Sequence, residues 1–269
     1  MPHRQPFARP SATVLLCLFT ATALGQAPAG ERARVTPYPI DLPANFQTAI
    51  ENGTRTADGR PGPKHWTNYA HYAIEAEVDP VAHRVTGRAV MIYHNRSPQP
   101  LTQLVVHAYQ DLMKAGAQRT RNVVATNGFE LGAVKLGGEV TPATVRDTKI
   151  TLRLREPLAS GATATLEIAW AFDIPKAGTA PRMGYEREDV IFLGYWYPQF
   201  AVYDDVDGWV ADPHRGNGEF YMGYADYDLA ITAPVGYVVR ATGELQNADE
   251  VLTAKAREAL ATALTTRAV

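Results

Sequence analysis

The chain is short of cysteine. Cys17 is the only one in 269 residues, and it lies in the segment expected to be removed. No disulfide, thiolate metal site or cysteine nucleophile is therefore available to the mature protein. There is no H-E-x-x-H, so no zinc-peptidase helix is encoded here. There is also no G-x-S-x-G nucleophile elbow, no P-loop, and no G-x-G-x-x-G opening a helix. Basic charge is in deficit as well. The formal net charge is −2, and nucleic acid as a partner is not expected, because phosphate binding needs a basic patch.

The longest apolar run is the first one. Arg4 and Arg9 precede the apolar and small-residue stretch from Ala12 to Leu24, and Ala23-Leu24-Gly25 supplies small residues for cleavage. These are the three parts of a secretory signal peptide, and the run is too short to span a bilayer. We expect residues 1–25 to be a signal peptide, the protein to be secreted or periplasmic, and no stable membrane anchor. Cleavage there lowers the 26 basic residues to 24 against 28 acidic ones, a net charge of −4. About 240 mature residues bury roughly 70% of the surface of the unfolded chain, enough for stability without disulfides.

Residues 26–65 are rich in Pro, Gly, Ala and charge and read as an extended or disordered leader. Strand signals then begin. Tyr72, Ile74, Ala76 and Val78 alternate with His71, Ala73, Glu75 and Glu77, the period of a half-buried strand. Asp79-Pro80 breaks it and Val85–His94 resumes it, which predicts a hairpin. Leu101–Tyr109 predicts a third strand, Val123–Lys135 a weaker one, and the alternations around Ile150–Leu154 and Leu166–Phe172 two more. Tyr227, Leu229 and Ile231 predict another, with Tyr237–Thr242 returning as its hairpin partner after Pro234-Val235-Gly236. Short strands at this spacing indicate an all-β, antiparallel sandwich over residues 66–245. The composition then changes. Thr253–Arg267 is rich in alanine, lacks Gly and Pro, and predicts a short C-terminal helix with Thr253 as N-cap. We expect residues 246–269 to lead into a region beyond the chain.

The aromatic centre of the chain is Val190–Thr232. It holds six of the thirteen tyrosines and two of the four tryptophans, interleaved with Asp204, Asp205, Asp207, Asp212, Glu219, Asp226 and Asp228. Such density marks a packed seam or a recognition surface. A calcium-loop reading of Asp205-Val206-Asp207-Gly208 fails, because Tyr203 and His214 would occupy positions that need carboxylates; a tight Asp/Gly turn is the simpler reading. A glycosidase would need two carboxylates in one cleft. Asp204 and Asp205 are neighbours that point to opposite faces of a strand, and Asp226 and Asp228 lie on the polar face of an alternating one. His71, His94 and His107 are single histidines within strand patterns, which reads as structure rather than metal ligation.

Three stretches together resemble the N-terminal domain of the aminopeptidase N-like (gluzincin) zinc metallopeptidases. The first is Tyr69–Asp111, with Asp79-Pro80, Val85-Thr86-Gly87 to Asn95, and Leu101 to His107. The second is Tyr195-Trp196-Tyr197-Pro198 with Tyr203-Asp204-Asp205. The third is Glu219-Phe220-Tyr221 through Asp226–Pro234 to Val238–Gly243. The resemblance covers about residues 66–245. It implies a saddle-like β-sandwich packed on a separate C-terminal catalytic domain that would carry the zinc and bind the peptide substrate. This chain alone is not expected to catalyse, and no cofactor is expected on it. The implied cleft or interface residues are Tyr195, Trp196, Tyr197, Gln199, Asp204 and Asp205. Glu186 and Glu188, with Gln199, are candidates by proximity for holding a substrate amine. A free-standing β-sandwich that binds peptide or glycan through the aromatic stretch is the alternative.

Overall fold

The two expected layers form, and one hydrophobic core joins them. The computed structural model describes residues 41–266, apart from 181, 188, 189 and the side chain of Leu264. The expected signal peptide lies outside the described residues.

A short helix, α1 (Ala44–Glu51), leads the chain in. The strands β1 (Tyr69–Asp79) and β2 (Arg84–His94) form the predicted hairpin. Its turn is fixed by Asp79, whose carboxylate accepts the N–H groups of Val81 and Ala82, both at 2.9 Å. Next come β3 (Leu101–His107) and a 3₁₀ turn, Tyr109–Met113. They are followed by β4 (Glu130–Leu136), β5 (Glu139–Val140), β6 (Thr144–Arg146), β7 (Lys149–Leu158) and β8 (Thr163–Asp173). Five further strands are β9 (Met183–Glu186), β10 (Val190–Leu193), β11 (Gln199–Phe200), β12 (Val202–Asp204) and β13 (Gly208–Val210). The described chain ends with β14 (Tyr224–Thr232), α2 (Ala248–Val251) and α3 (Ala254–Thr265).

The larger sheet has the order β14-β1-β2-β8-β4-β5, the smaller β11-β3-β7-β6. Their inner faces meet in one core. The large sheet contributes Tyr72, Ile74, Val85, Met91, Leu166, Ile168 and Phe172, and the small sheet Leu104, Val106, Ile150, Leu152 and Phe200. Period-two alternation in the sequence becomes one dry face per strand.

Two residues of the resemblance motifs have specific packing roles. Gly87 sits opposite Trp170 in the β2–β8 register. A Cβ at Gly87 would fall 2.4 Å from Cζ2 of Trp170, so the missing side chain is the space the indole occupies. Asn95, fully buried, donates its amide to the carbonyls of Gln99 and Leu158, both at 2.9 Å, and accepts from the Ser97 backbone N–H and hydroxyl. It thereby ties the end of β2 to the turn between β7 and β8, satisfying polar groups that burial would otherwise leave unpaired.

Three expectations need correction. Of the expected leader 26–65, the described residues 41–65 are not loose. They contain α1, and Arg55 grips Asp205 through Nε–Oδ2 at 2.9 Å and Nη2–Oδ1 at 2.7 Å. Asn45 also bonds Asp207, and Trp66 stacks on Tyr203 with ring centroids 5.7 Å apart. Secondly, β14 pairs with β1 in parallel, Tyr224 beside Tyr69 through Thr232 beside Glu77, an exception to antiparallel pairing. Thirdly, Tyr237–Thr242 forms no strand against β14. Its Val238 and Val239 stand exposed instead. The predicted C-terminal helix is present as α3, and Thr253 Oγ1 accepts the Ala256 N–H at 3.2 Å as its cap.

Candidate functional site

The first part of the aromatic stretch, Tyr195 to Trp209, folds inward, while Tyr221, Tyr224 and Tyr227 stay exposed. Tyr195 adopts a left-handed conformation (φ 42°), and its carbonyl accepts the buried Gln110 amide at 2.6 Å. That strained residue turns the ring into the sandwich, where Phe220 lies 4.8 Å away and Tyr109 meets it edge-on at 5.9 Å. Burial pushes the Tyr195 phenol up to about 12. Trp196 packs on Trp170, centroids 6.3 Å apart, and edge-on against Tyr197. Tyr197 meets Tyr72 and Tyr227, each edge-on at about 6 Å. Trp209 sits between Tyr93 and Tyr203. The seam is a packed wall of the sandwich rather than an open aromatic platform.

The polar candidates have separate partners. Gln199 is buried on β11, in register with His107. Asp204 shapes the β12–β13 turn. Its Oδ1 accepts the N–H groups of Val206 at 3.0 Å and Asp207 at 2.8 Å, and its Oδ2 faces the Tyr221 hydroxyl at 3.3 Å. With Gly208 at φ 68° closing the hairpin, the Asp/Gly turn is as expected. Asp205 points the other way and is 2% exposed. Burial would raise its carboxyl, but hydrogen bonds from Arg55 and Thr54 hold it below the usual carboxylate range. Asp226 pairs with the Tyr69 hydroxyl, and Asp228 with His71 at 3.2 Å. These contacts disperse the acids rather than pairing two in one cleft. Glu186 is exposed on β9, and Glu188 lies outside the described residues.

Sequence reasoning missed the cluster behind Tyr195. His107 stacks on Tyr109 at 4.7 Å, and His214 meets Tyr109 at 5.6 Å and Phe220 at 4.8 Å. Burial first, then the nearby His214 and Lys149 charges, drives His107 down to about 4 against the opposing bond to the Val210 backbone. It is neutral at pH 7. Among the described residues no group of three or more His, Asp or Glu side chains converges to hold a metal. No helix among the described residues is long and apolar enough to cross a membrane.

One surface is left uncovered. On β14, Tyr227 and Leu229 are in register with Tyr72 and Ile74, and Tyr227 stacks on Tyr72 with centroids 5.0 Å apart. They belong to the core side of the sheet. Yet Tyr227 is 49% and Leu229 42% exposed, while Tyr72 and Ile74 are buried. Met222, Tyr237, Val238, Val239 and Leu260 are exposed as well.

The chain matches no protein-family model and no curated protein. Among solved structures it is similar to the M1 zinc metallopeptidase from Deinococcus radiodurans, at 16% identity over 65% of this chain and 34% of that one, with a TM-score of 0.36. A mutant of that protein bound to a Tyr-Ser-Ala substrate aligns at 14% identity over 70% and 38% of the two chains, with a TM-score of 0.38. A mutant two-domain M1 zinc metallopeptidase bound to L-arginine aligns at 16% identity over 70% and 39%, with a TM-score of 0.36. The chain spans little more than a third of the length of these proteins.

Proposed function

We propose that this chain is the non-catalytic N-terminal β-domain of a secreted zinc metallopeptidase, and that its role is to support a separate catalytic domain. In the full-length parent the reaction would be peptide hydrolysis of the aminopeptidase type, with zinc and its ligands on that other domain. The order of the motifs from Tyr69 to Gly243 supports the reading. So do the packing roles of Gly87 and Asn95 within them.

The observation that carries the reading is the half-exposed core face of β14. Tyr227 and Leu229 continue a buried row and then meet solvent. Apolar side chains of a core row left in solvent fit an interaction surface. In this reading the catalytic domain covers it. The Tyr195–Asp205 segment braces the fold from behind through Tyr72, which contacts both Tyr197 and Tyr227.

Reading the coding DNA beyond codon 269 tests the proposal directly. An H-E-x-x-H followed by a helix bearing a Glu is the expected result, and a stop codon in an expressed gene would overturn it. A second test uses the protein as it is. The chain should bind no stoichiometric zinc and hydrolyse no aminoacyl substrate, and a zinc-dependent turnover would sink the assignment.

A further inference from the structure

Asn-Gly occurs three times in the sequence, at Asn52-Gly53, Asn127-Gly128 and Asn217-Gly218. Glycine has no Cβ to shield its backbone nitrogen and little to restrict its backbone. That nitrogen can therefore reach the side-chain amide carbon of the asparagine before it, and in an unfolded chain the three pairs share this lability. Folding separates them. Gly53 donates its N–H to the Ile50 carbonyl at 2.9 Å, and its own carbonyl accepts the Lys64 N–H at 3.0 Å. Asn52 is held in helical geometry (φ −68°, ψ −14°) as the C-cap of α1. Asn127 donates its side-chain amide to Asp173 at 2.8 Å and to Glu130 at 3.4 Å. The N–H of Gly128, which is buried, goes to the Thr126 hydroxyl at 3.1 Å.

Asn217-Gly218 has no such restraint. Both residues are exposed, on the segment between β13 and β14. Among the described residues, neither the Asn217 amide nor the Gly218 N–H has a hydrogen-bond partner. Asn217 is flanked by glycine on both sides, each at a φ of 97°. A Cβ at Gly218 would meet no atom within 4 Å, so solvent reaches its nitrogen. The chain is anchored before and after this pair. Thr120 donates its backbone N–H and its hydroxyl to the Arg215 carbonyl, each at 2.9 Å. Arg182 donates to both carboxylate oxygens of Glu219, each at 2.9 Å. Asn217 and Gly218 lie between these anchors and are bonded to neither.

We propose that Asn217 is a modification site, deamidated without an enzyme and with solvent water as the co-reactant. Hydroxide takes the proton of the Gly218 N–H, and the nitrogen attacks Cγ of Asn217. The N–Cγ bond forms and the Cγ–Nδ2 bond breaks. Nδ2 takes a proton from water and leaves as ammonia. Water then opens the cyclic imide. Breaking the new N–Cγ bond leaves an aspartyl residue at position 217, and breaking the original peptide bond leaves an isoaspartyl residue. Either product adds a negative charge to the loop that leads into β14, beside the Glu219–Arg182 ion pair. The proposal does not depend on the metallopeptidase reading.

Incubation of the full chain at mildly alkaline pH in oxygen-labelled water tests it, followed by peptide mapping with mass spectrometry. Label incorporated at the asparagine marks conversion during the incubation. In the folded chain, Asn217 should convert at least about tenfold faster than Asn52 and Asn127, since those two react only on local opening. In the chain unfolded in urea, the three should convert at comparable rates, because the same residue follows each. Ion-exchange chromatography gives a second readout. An acidic species should accumulate in the wild type and in Asn127→Gln, and not in Asn217→Gln. Equal rates at the three positions in the folded chain overturn the proposal. So does an Asn217 amide that persists in the folded chain while the unfolded chain loses it, or an acidic species that forms undiminished in Asn217→Gln.

Discussion

Arg55 closes on Asp205 across 150 residues of sequence, through two short hydrogen bonds from one guanidinium edge to a carboxylate that is almost fully buried. This contact makes residues 44–66 part of the sandwich. Replacing one partner leaves the other buried and unpaired. Asp205→Asn should cost about 2–3 kcal/mol, a figure discounted for the partial exposure of Arg55. Urea unfolding measures it. Trp66, stacked on Tyr203 at the same junction, should redden its fluorescence as the segment loosens. An unchanged midpoint would show that the clamp contributes nothing.

The same pair sets an acid limit. The folded-state pKa of Asp205 lies below its ordinary value of 3.8. Its contribution is therefore complete above that value and is lost as pH falls through the folded-state pKa. Stability measured below pH 4 should drop less steeply in Asp205→Asn than in the wild type.

His107 acts in a different window. Its folded pKa is about 4 against an ordinary 6.5, so between these values the unfolded chain binds the extra proton. Stability should fall as pH drops from about 6.5 to about 4. In His107→Gln, which cannot titrate, this part of the pH profile should flatten. His214, also lowered by burial, should preserve some of the slope.

Gly87→Ala places a methyl group against Trp170 at 2.4 Å. Both backbone and indole are fixed by sheet register on each side. The cost should be about 1–3 kcal/mol from overpacking. A chemical denaturation midpoint equal to that of the wild type would mean the indole moves freely.

Tyr72→Phe removes the hydroxyl that accepts the Phe200 N–H at 3.0 Å in the core. An unsatisfied buried donor costs about 1–3 kcal/mol. Hydrogen exchange at the Phe200 amide should accelerate along with the loss of stability.

The strand periods of β1, β2, β7 and β8 were legible in the sequence, because alternation records which residues face a dry layer. The Asp79 and Asp204–Gly208 turns were equally legible, because side-chain-to-backbone bonds act within three residues. The inward fate of Tyr195, Gln199 and Asp205 was not. Their residue types suit a cleft as well as a core, and only the opposing sheet decides.

By itself, then, the sequence determined the local terms: strand period, turn chemistry, the Thr253 cap and the charge balance. Each depends on residues a few positions apart. Tertiary structure decided the rest: the parallel seating of β14 on β1, the Arg55–Asp205 clamp, and the exposed face at Tyr227 and Leu229. These join segments 150 residues apart and more. Their energies come from desolvation and pairing between distant groups, which no local pattern encodes.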